Sequence, residues 1–526
     1  MSHTPLFRFM RRSMARAARV QPIGRREFMR GASSLATTGA LAAPIAACTP
    51  PLPADRSGDG PVVIIGAGLS GLTAAWELAR RSVPFVVYEA SGRIGGRVWT
   101  LRDFNAGGQF VELGAELVDT GHDDLRAVCA EVGVAVTKFS LPNEGIANEI
   151  FVHRGQIHTG SELAAGLKPL LQAIAVARRE IQGKRKDLAV SWNNPQGAAA
   201  YDRLSLAAFL DRQREVAGWV REVVRIAYVG EMGREASEQS ALNLILLMDP
   251  EQPGLYGESD EAWRIAGGSS SLVEGLQQAI LRKVGSSADA ILRLRHELVA
   301  IRNSGSALQL VINQDGSHQA VNASRVIVTL PFSVLRTVDG IGELPLHPVK
   351  LRSIRELGYG TNSKLMLDYR QRVWRQQGGR LPPFNGFLTT DAGPQTFWDT
   401  SRDQPGDNGV LTNFLGGRAG ALLESGNSRL ASDYLARIDP RFGQAESGQR
   451  RAMNWSRHRW SLGSYSCPLV GQYTSIFGIE GRAELGGRLL FAGEHTSPDY
   501  AGFMNGAVES GRRVAREALQ PLAAAA

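Results

Sequence analysis

Pro61–Val62–Val63–Ile64–Ile65–Gly66–Ala67–Gly68–Leu69–Ser70–Gly71 is the stretch whose reading decides the fold. Its first residues, mostly β-branched and apolar, read as a buried strand of a parallel sheet. The glycines then fall as Gly-x-Gly-x-x-Gly. In that spacing Gly66 allows the tight turn out of the strand and Gly68 lets a pyrophosphate approach bare backbone. Gly71 lets the next helix pack close to the sheet. That helix, expected from Leu72 to about Arg81, aims its free N–H groups and positive dipole end at the phosphates. A second strand, Pro84 to Tyr88, ends in Glu89, 18 residues past Gly71 and near the spacing that sets a carboxylate on a ribose hydroxyl pair. A glycine triplet alone is weak evidence. Strand, glycines, helix, strand and acid in order predict a dinucleotide-binding unit of the α/β class.

The residues that follow narrow the cofactor. Glu89–Ala90–Ser91–Gly92–Arg93–Ile94–Gly95–Gly96–Arg97–Val98–Trp99–Thr100 resembles the flavin-binding signature of the amine oxidase family, which includes monoamine, polyamine and L-amino acid oxidases. Gly95 and Gly96 let backbone run against a diphosphate, and Arg97 supplies a forked cation to neutralise it. A nicotinamide enzyme has no need of this second element, so FAD is preferred. Near the other end, Arg488–Leu489–Leu490–Phe491–Ala492–Gly493–Glu494–His495 and Gly502–Phe503–Met504–Asn505–Gly506 resemble the closing motif of the same family. The resemblance implies that Gly493 and Glu494 meet the ribityl hydroxyls and that the helix opening at Met504 faces the pyrimidine end of the flavin. A helix N-terminus there stabilises the negative charge of reduced flavin. His495 reads as structural. The implied fold is α/β: a Rossmann-type (GR2-like) FAD domain interleaved with a mixed-sheet and helical substrate domain.

At 526 residues the chain is too long for one core. Residues 60–133, 265–330 and 485–518 are expected to form the FAD domain, and residues 134–264 and 331–484 the substrate domain. Apolar spacing predicts helices over Ser161–Gln182 and Leu204–Met248. Glu297–Leu298–Val299–Ala300–Ile301 is a predicted strand in which the resemblance implies a backbone contact from Leu298 to the nucleotide. The formal charge of +8 is misleading, because residues 1–30 hold eight arginines and one acid. The remainder is nearly neutral, which argues against nucleic-acid binding. Three cysteines, Cys48, Cys129 and Cys467, are too few for a disulfide framework, although a Cys129–Cys467 bridge is open.

The first 48 residues read as an address. Gly24–Arg25–Arg26–Glu27–Phe28–Met29–Arg30 resembles a twin-arginine export signal, which implies a periplasmic destination. Ile45–Ala46–Ala47–Cys48 resembles a lipoprotein cleavage box, with membrane anchoring through Cys48; ordinary cleavage near Ala47, or a disordered basic tail, are the alternatives. Residues 49–59 read as a Pro-rich linker.

In such enzymes the cofactor carries the redox chemistry and the protein orients, dries and polarises the site. No triad or metal cluster is expected. The resemblance implies an aromatic pair at the substrate nitrogen, Tyr465 and Phe503, and a lysine, Lys364, bonded through water to the flavin. Lys364 lies among Leu365, Met366 and Leu367, so it is expected to be buried and to need a partner or a lowered pKa. Monoamine oxidases attach FAD through a cysteine directly before the tyrosine; Ser464 stands there, which predicts non-covalent FAD. Val111–Glu112–Leu113–Gly114–Ala115–Glu116–Leu117–Val118–Asp119 supplies the substrate candidates Glu116 and Asp119. Leu117 replaces the arginine that clamps a carboxylate in several amino acid oxidases, and Asp119 suits a distal ammonium. Trp460–Ser461–Leu462–Gly463–Ser464–Tyr465 resembles L-amino acid oxidases instead, with Trp460 at the substrate and Arg264 able to bind a carboxylate. The implied activity is oxidative deamination of an amine, with oxygen reduced to hydrogen peroxide. An L-amino acid oxidase or tryptophan 2-monooxygenase-like enzyme is the alternative. A desaturase, a protoporphyrinogen oxidase and a non-catalytic flavin protein stand further off.

Overall fold

The computed structural model describes residues 60–522, apart from 141–144, 186, 196, 252–253, 257–258, 286 and 424–428. The export signal, Cys48 and the linker lie outside the described residues. Val62–Ile65 is buried along its whole length at the centre of a five-stranded parallel sheet. Across that sheet the strands run Leu292–Leu294, Phe85–Glu89, Val62–Ile65, Val326–Val328 and Leu489–Phe491. An all-apolar strand suits this place, because both faces are covered. Successive side chains point to opposite faces. Val62, Ile64, Phe85, Val87, Ile327 and Leu490 enter one core with the helices Leu69–Arg80, Ser270–Val284 and Met504–Ala518. Val63, Ile65, Val86, Tyr88, Val326 and Phe491 enter another, with residues of the antiparallel sheet His296–Ser304, Ala307–Gln314 and Ser317–Ala323. The first helix starts at Leu69, earlier than expected, because Gly68 already takes the extended N-cap conformation.

A seven-stranded sheet carries the second half of the site. Its order is Glu446–Asn454, Ser363–Tyr369, Gly409–Leu415, Gln395–Asp399, Phe384–Thr390, Ala147–His153 and Gln156–Thr159. The expected helical tracts appear as Gly160–Gly166, Lys168–Gln182, Leu206–Arg212, Gly218–Met232 and Leu242–Leu247, which share a core of their own. The strands at 147–159 were not expected in that region. They form a hairpin closed by Arg154 (φ 49°) and Gly155 (φ 78°), with His153 opposite Gln156. Two left-handed residues give the turn the twist of its strands, but Arg-Gly is not a turn pair that announces itself. A small three-stranded sheet sets Leu117 opposite Arg264 and Val118 opposite Trp263.

Candidate active site

The two glycine motifs are zipped together. Gly95 donates its N–H to the Ala67 carbonyl at 2.8 Å, and Gly95 bridges to Gly68. Gly96 (φ +58°) sits so close that a Cβ on it would come within 3.3 Å of the Gly68 Cα. Beside Gly68 there is open space: a Cβ there would meet nothing within 4 Å. Gly71 is packed instead, its Cα facing the Gly66 carbonyl. Glu89 closes the end of the second strand. Its Oε2 accepts Ala67 N–H at 2.7 Å and its Oε1 accepts Ser91 N–H at 2.8 Å.

Two long helices open toward this region without a side-chain cap and without an acid in the first turn: Leu69–Arg80 from Gly68, and Met504–Ala518 from Phe503. They pack together through Ser70 and Ser510, and a Cβ on Gly511 would fall 2.6 Å from the Ser70 carbonyl oxygen. Uncapped N-termini attract anions. Bare backbone at Gly68 and two open helix ends as donors, with the Glu89 carboxylate as acceptor, suit an elongated dinucleotide. Leu298 lies buried at the bulge where its strand changes register, between Leu298 and Ala300.

Arg97, expected at the diphosphate, also reaches the closing motif. Its Nη1 donates to the Ser464 carbonyl at 2.6 Å and to Glu494 Oε1 at 3.0 Å. Glu494 also accepts from Ser466 N–H (3.2 Å), Ser466 Oγ (2.8 Å) and Gly502 N–H (2.8 Å). Burial pushes this carboxyl up, yet Arg97, His495 and these donors outweigh it and hold Glu494 below the usual range. Arg97 therefore ties the first motif to the closing one. Gly493 (φ +133°) donates its N–H to Ser510 Oγ at 3.0 Å.

Lys364 lies in Ser363–Tyr369, a strand buried at every residue. Its Nζ donates to the Gly114 carbonyl at 2.8 Å and to Glu116 Oε2 at 2.7 Å, and sits 5.2 Å from the Trp398 ring centre. The expected partner exists, and it is Glu116. Glu116, named from the sequence as a substrate residue, also accepts on Oε1 from Trp398 Nε1 (3.1 Å) and Thr400 Oγ1 (3.0 Å), so each of its oxygens has a partner in the fold.

Tyr465 donates its hydroxyl to the Glu231 carbonyl, and its ring lies beside Gly502, next to Phe503. The Phe503 ring rests on His122 at 5.3 Å, with Tyr500 at 5.8 Å from the same imidazole. Asp119, the other acid named from the sequence as a substrate residue, supports this group. Its Oδ1 accepts from Ser259 Oγ (3.0 Å) and Glu261 N–H (2.8 Å), and its Oδ2 is 3.3 Å from His122 Nε2. The bonds hold the turn in which Glu261 adopts φ 41°. Trp460 stands apart, half-buried under the Arg459 guanidinium at 4.3 Å, and Arg459 pairs with Glu297.

Two acids that sequence reasoning missed belong to this wall. Glu231 ends the helix Gly218–Met232, and Glu261 follows Asp260 in the turn held by Asp119. Neither carboxylate has a hydrogen bond or ion pair with a described residue. Glu261 is solvent-accessible, yet burial pushes its carboxyl up to about 8, with Glu231, Asp119 and Glu116 adding to the rise. Glu231, Asp119 and Glu116 are the acids that act on it, and the four border one recess. Burial, then Asp119, raises Glu231 to about 7. Glu231 in turn raises the enclosed phenols of Tyr465 and Tyr256, whose largest cause is burial. No local signal marks either acid, since each is a single glutamate at an element's end.

Arg264, opposite Leu117, sets its guanidinium 5.3 Å from the centres of both Phe110 and Phe139. Cys129 and Cys467 are both free and buried, so the bridge left open by the sequence is not formed. Cys467 Sγ lies 3.8 Å from Asn243 Nδ2, and burial pushes the thiol up to about 12. Among the described residues no group of three or more His, Cys, Asp or Glu is arranged to hold a metal, and no helix is long and apolar enough to cross a membrane.

Comparison with known proteins agrees with this arrangement. The chain is similar to the L-amino acid dehydrogenase of Synechocystis sp., at 23% identity over 487 residues, covering 86% of this chain and 93% of the relative. It is similar to the flavin-dependent L-tryptophan oxidase RebO of Lentzea aerocolonigenes, at 26% over 480 residues (85% and 96%). Amine oxidase [flavin-containing] A of Sus scrofa is 24% identical over 482 residues (88% and 85%). Among solved structures, cyclohexylamine oxidase from Brevibacterium oxydans superposes with a TM-score of 0.72 at 20% identity, covering 88% of this chain and 99% of that one. Putrescine oxidase bound to putrescine gives 0.69 at 19% identity (87% and 98%). The family model for flavin containing amine oxidoreductase matches residues 69–519. The chain therefore belongs to the flavin-containing amine oxidoreductase family, and its cofactor is FAD.

Proposed function

We propose that this protein oxidises a cationic amine to an imine, which water then hydrolyses to a carbonyl compound and an amine or ammonia. FAD accepts the two electrons and passes them to oxygen, giving hydrogen peroxide. The observation that carries this reading is the pair of unpartnered carboxylates, Glu231, bonded through its carbonyl to Tyr465, and Glu261, which Glu231 influences. A cation entering the recess relieves their mutual repulsion. A charge-assisted hydrogen bond to either is worth roughly 1.5–3 kcal/mol, about tenfold or more in affinity. Tyr465 and Phe503 exclude water and fix the approach of the nitrogen. Gly68, Glu89, Gly96, Glu494 and the helix start at Met504 hold the cofactor. Ser464 before Tyr465, with Cys467 turned into the core beside Asn243, supports non-covalent FAD.

A second reading, an α-amino acid substrate, draws on Arg264. Its guanidinium stacks on two phenylalanines with no hydrogen bond to a described residue, directly across the sheet from Leu117. Two of the relatives named above act on amino acids by name. Anaerobic mixing of purified protein with amines, diamines and L-amino acids, followed at the flavin absorbance, decides between them. Diamines are expected to bleach the flavin at the lowest concentration. Bleaching by α-amino acids alone refutes the amine reading, and bleaching by none refutes both. Export by the twin-arginine route, to the periplasm or to a membrane through Cys48, is part of the proposal; Arg25→Lys with Arg26→Lys is expected to leave yellow protein in the cytoplasm.

A further inference from the structure

Lys364 and Glu116 form an enclosed ion pair, with only 7% and 10% of their side-chain surfaces accessible. Neither partner is free to turn away. Lys364 Nζ is also held by the Gly114 carbonyl, and Glu116 by Trp398 and Thr400. The pair borders the reactive recess on two counts. Gly114 packs on the Arg97 carbonyl, and Arg97 is bonded to Glu494 and Ser464, next to Tyr465. Glu261, on the recess wall, responds electrostatically to both Glu116 and Lys364. A buried lysine left alone presents a full positive charge to whatever lies beside it. This one presents a neutral pair.

We propose that Glu116 is a positioning residue that fixes the Lys364 ammonium and cancels its charge at the flavin's reactive end, so that the bound flavin attracts anions and electrons less than the lysine alone would make it. The inference rests on the proposed function in one respect, the placing of the flavin's reactive end in the recess of Tyr465 and Glu494 that this pair borders. At an effective dielectric near 20, one uncompensated charge near a bound anion changes its affinity by roughly one to two orders of magnitude. Glu116→Gln keeps one acceptor oxygen for Trp398 and Thr400 and removes the charge together with the acceptor that Lys364 uses.

The test is sulfite binding to the oxidised holoenzyme, read as bleaching of the flavin band, in a cycle of wild type, Glu116→Gln, Lys364→Met and the double variant. Flavin content and thermal midpoint are recorded alongside. Glu116→Gln is expected to bind sulfite about tenfold or more tightly and to raise the flavin's midpoint potential. The double variant, neutral like wild type, is expected to return to within about threefold of it. A Glu116→Gln affinity within twofold of wild type overturns the proposal, as does a double variant as tight as Glu116→Gln. Should Glu116→Gln fail to hold FAD, Trp398→Phe loosens the same carboxylate. It is expected to shift sulfite affinity in the same direction by about twofold to threefold, and no shift overturns the proposal. Bleaching of the wild type by amines tests the proposed function separately, so the two failures are distinguishable.

Discussion

Gly68 and Gly71 stand three residues apart in one motif and are expected to fail in opposite ways. Gly68 is the N-cap of the first helix at φ −68°, ψ 174°, extended backbone that any residue adopts, and a Cβ there meets nothing within 4 Å. Gly68→Val therefore leaves the apo fold nearly intact. Its cost is the poorer N-cap preference of valine, up to about 1 kcal/mol. What it fills is the open ground where the diphosphate approaches. The variant thus loses the linkage stabilisation that FAD supplies, about 2.7 kcal/mol at a free concentration one hundred times Kd. Gly71→Ala drives its methyl into the Gly66 carbonyl, with the Gly66 carbonyl carbon and Thr329 Oγ1 both at 3.1 Å. Backbone cannot swing aside as a side chain does, so overpacking of about 1–3 kcal/mol falls on the fold itself. Denaturant melts with and without added FAD, together with flavin absorbance per mole of protein, separate the two. Gly68→Val is expected to match the wild-type apoprotein to within about 1 kcal/mol and to gain nothing from FAD. Gly71→Ala is expected to melt early in both. Wild-type flavin content in Gly68→Val refutes the assignment of the phosphate turn.

Glu231 and Glu261, raised to about 7 and about 8, acquire charge as pH rises through that window. A quaternary ammonium inhibitor, which cannot itself titrate, is therefore expected to bind more tightly from pH 6 to about pH 9, and Glu231→Gln or Glu261→Gln to flatten the profile. His495 is buried among Phe332, Tyr359 and the Gly493 turn, and burial pulls its imidazole down to about 3. The unfolded chain binds that proton near pH 6.5 and the folded chain does not, so its contribution is stability lost as pH falls from about 6.5 toward 3. His495→Gln is expected to reduce the slope of unfolding free energy against pH in that window; an unchanged slope refutes it. Acid precipitation of wild type and of Cys467→Ala is expected to release yellow supernatant from both, and colour kept in the wild-type pellet refutes non-covalent FAD.

The cofactor cradle was legible because its demands are local. A tight turn, bare backbone and an uncapped helix start each leave a fixed spacing in the chain, as Gly66, Gly68, Gly71 and Gly95–Gly96 do. The burial of Lys364 was legible from Leu365, Met366 and Leu367, whereas its partner was not. Glu116 is 248 residues away, and only the pairing of distant segments brings it to Lys364. The partners of Asp119 were hidden for a related reason: Ser259 and Glu261, which donate to it, lie about 140 residues along the chain. Glu231 and Glu261 gave no signal, because a lone glutamate becomes informative only when the fold encloses it and withholds a partner. The Arg154–Gly155 hairpin hid in a region whose helical periodicity dominates on either side.

The bond between Arg97 and Glu494 joins residues 397 positions apart, and the edge strand of the parallel sheet, Leu489–Phe491, comes late in the chain. This sets a timetable. At 5–20 residues per second, synthesis of the chain takes roughly half a minute to two minutes, and for most of that time the nascent protein owns a phosphate-binding turn but no completed site. Its central sheet waits with Val326–Val328 as an exposed edge until the last strand emerges, an arrangement that invites holding by chaperones and slows folding through long-range closure. Loss of the segment from Leu489 onward would leave the polypeptide in that unfinished state permanently. Cofactor capture is thus a post-translational event, coupled to arrival of the C-terminus.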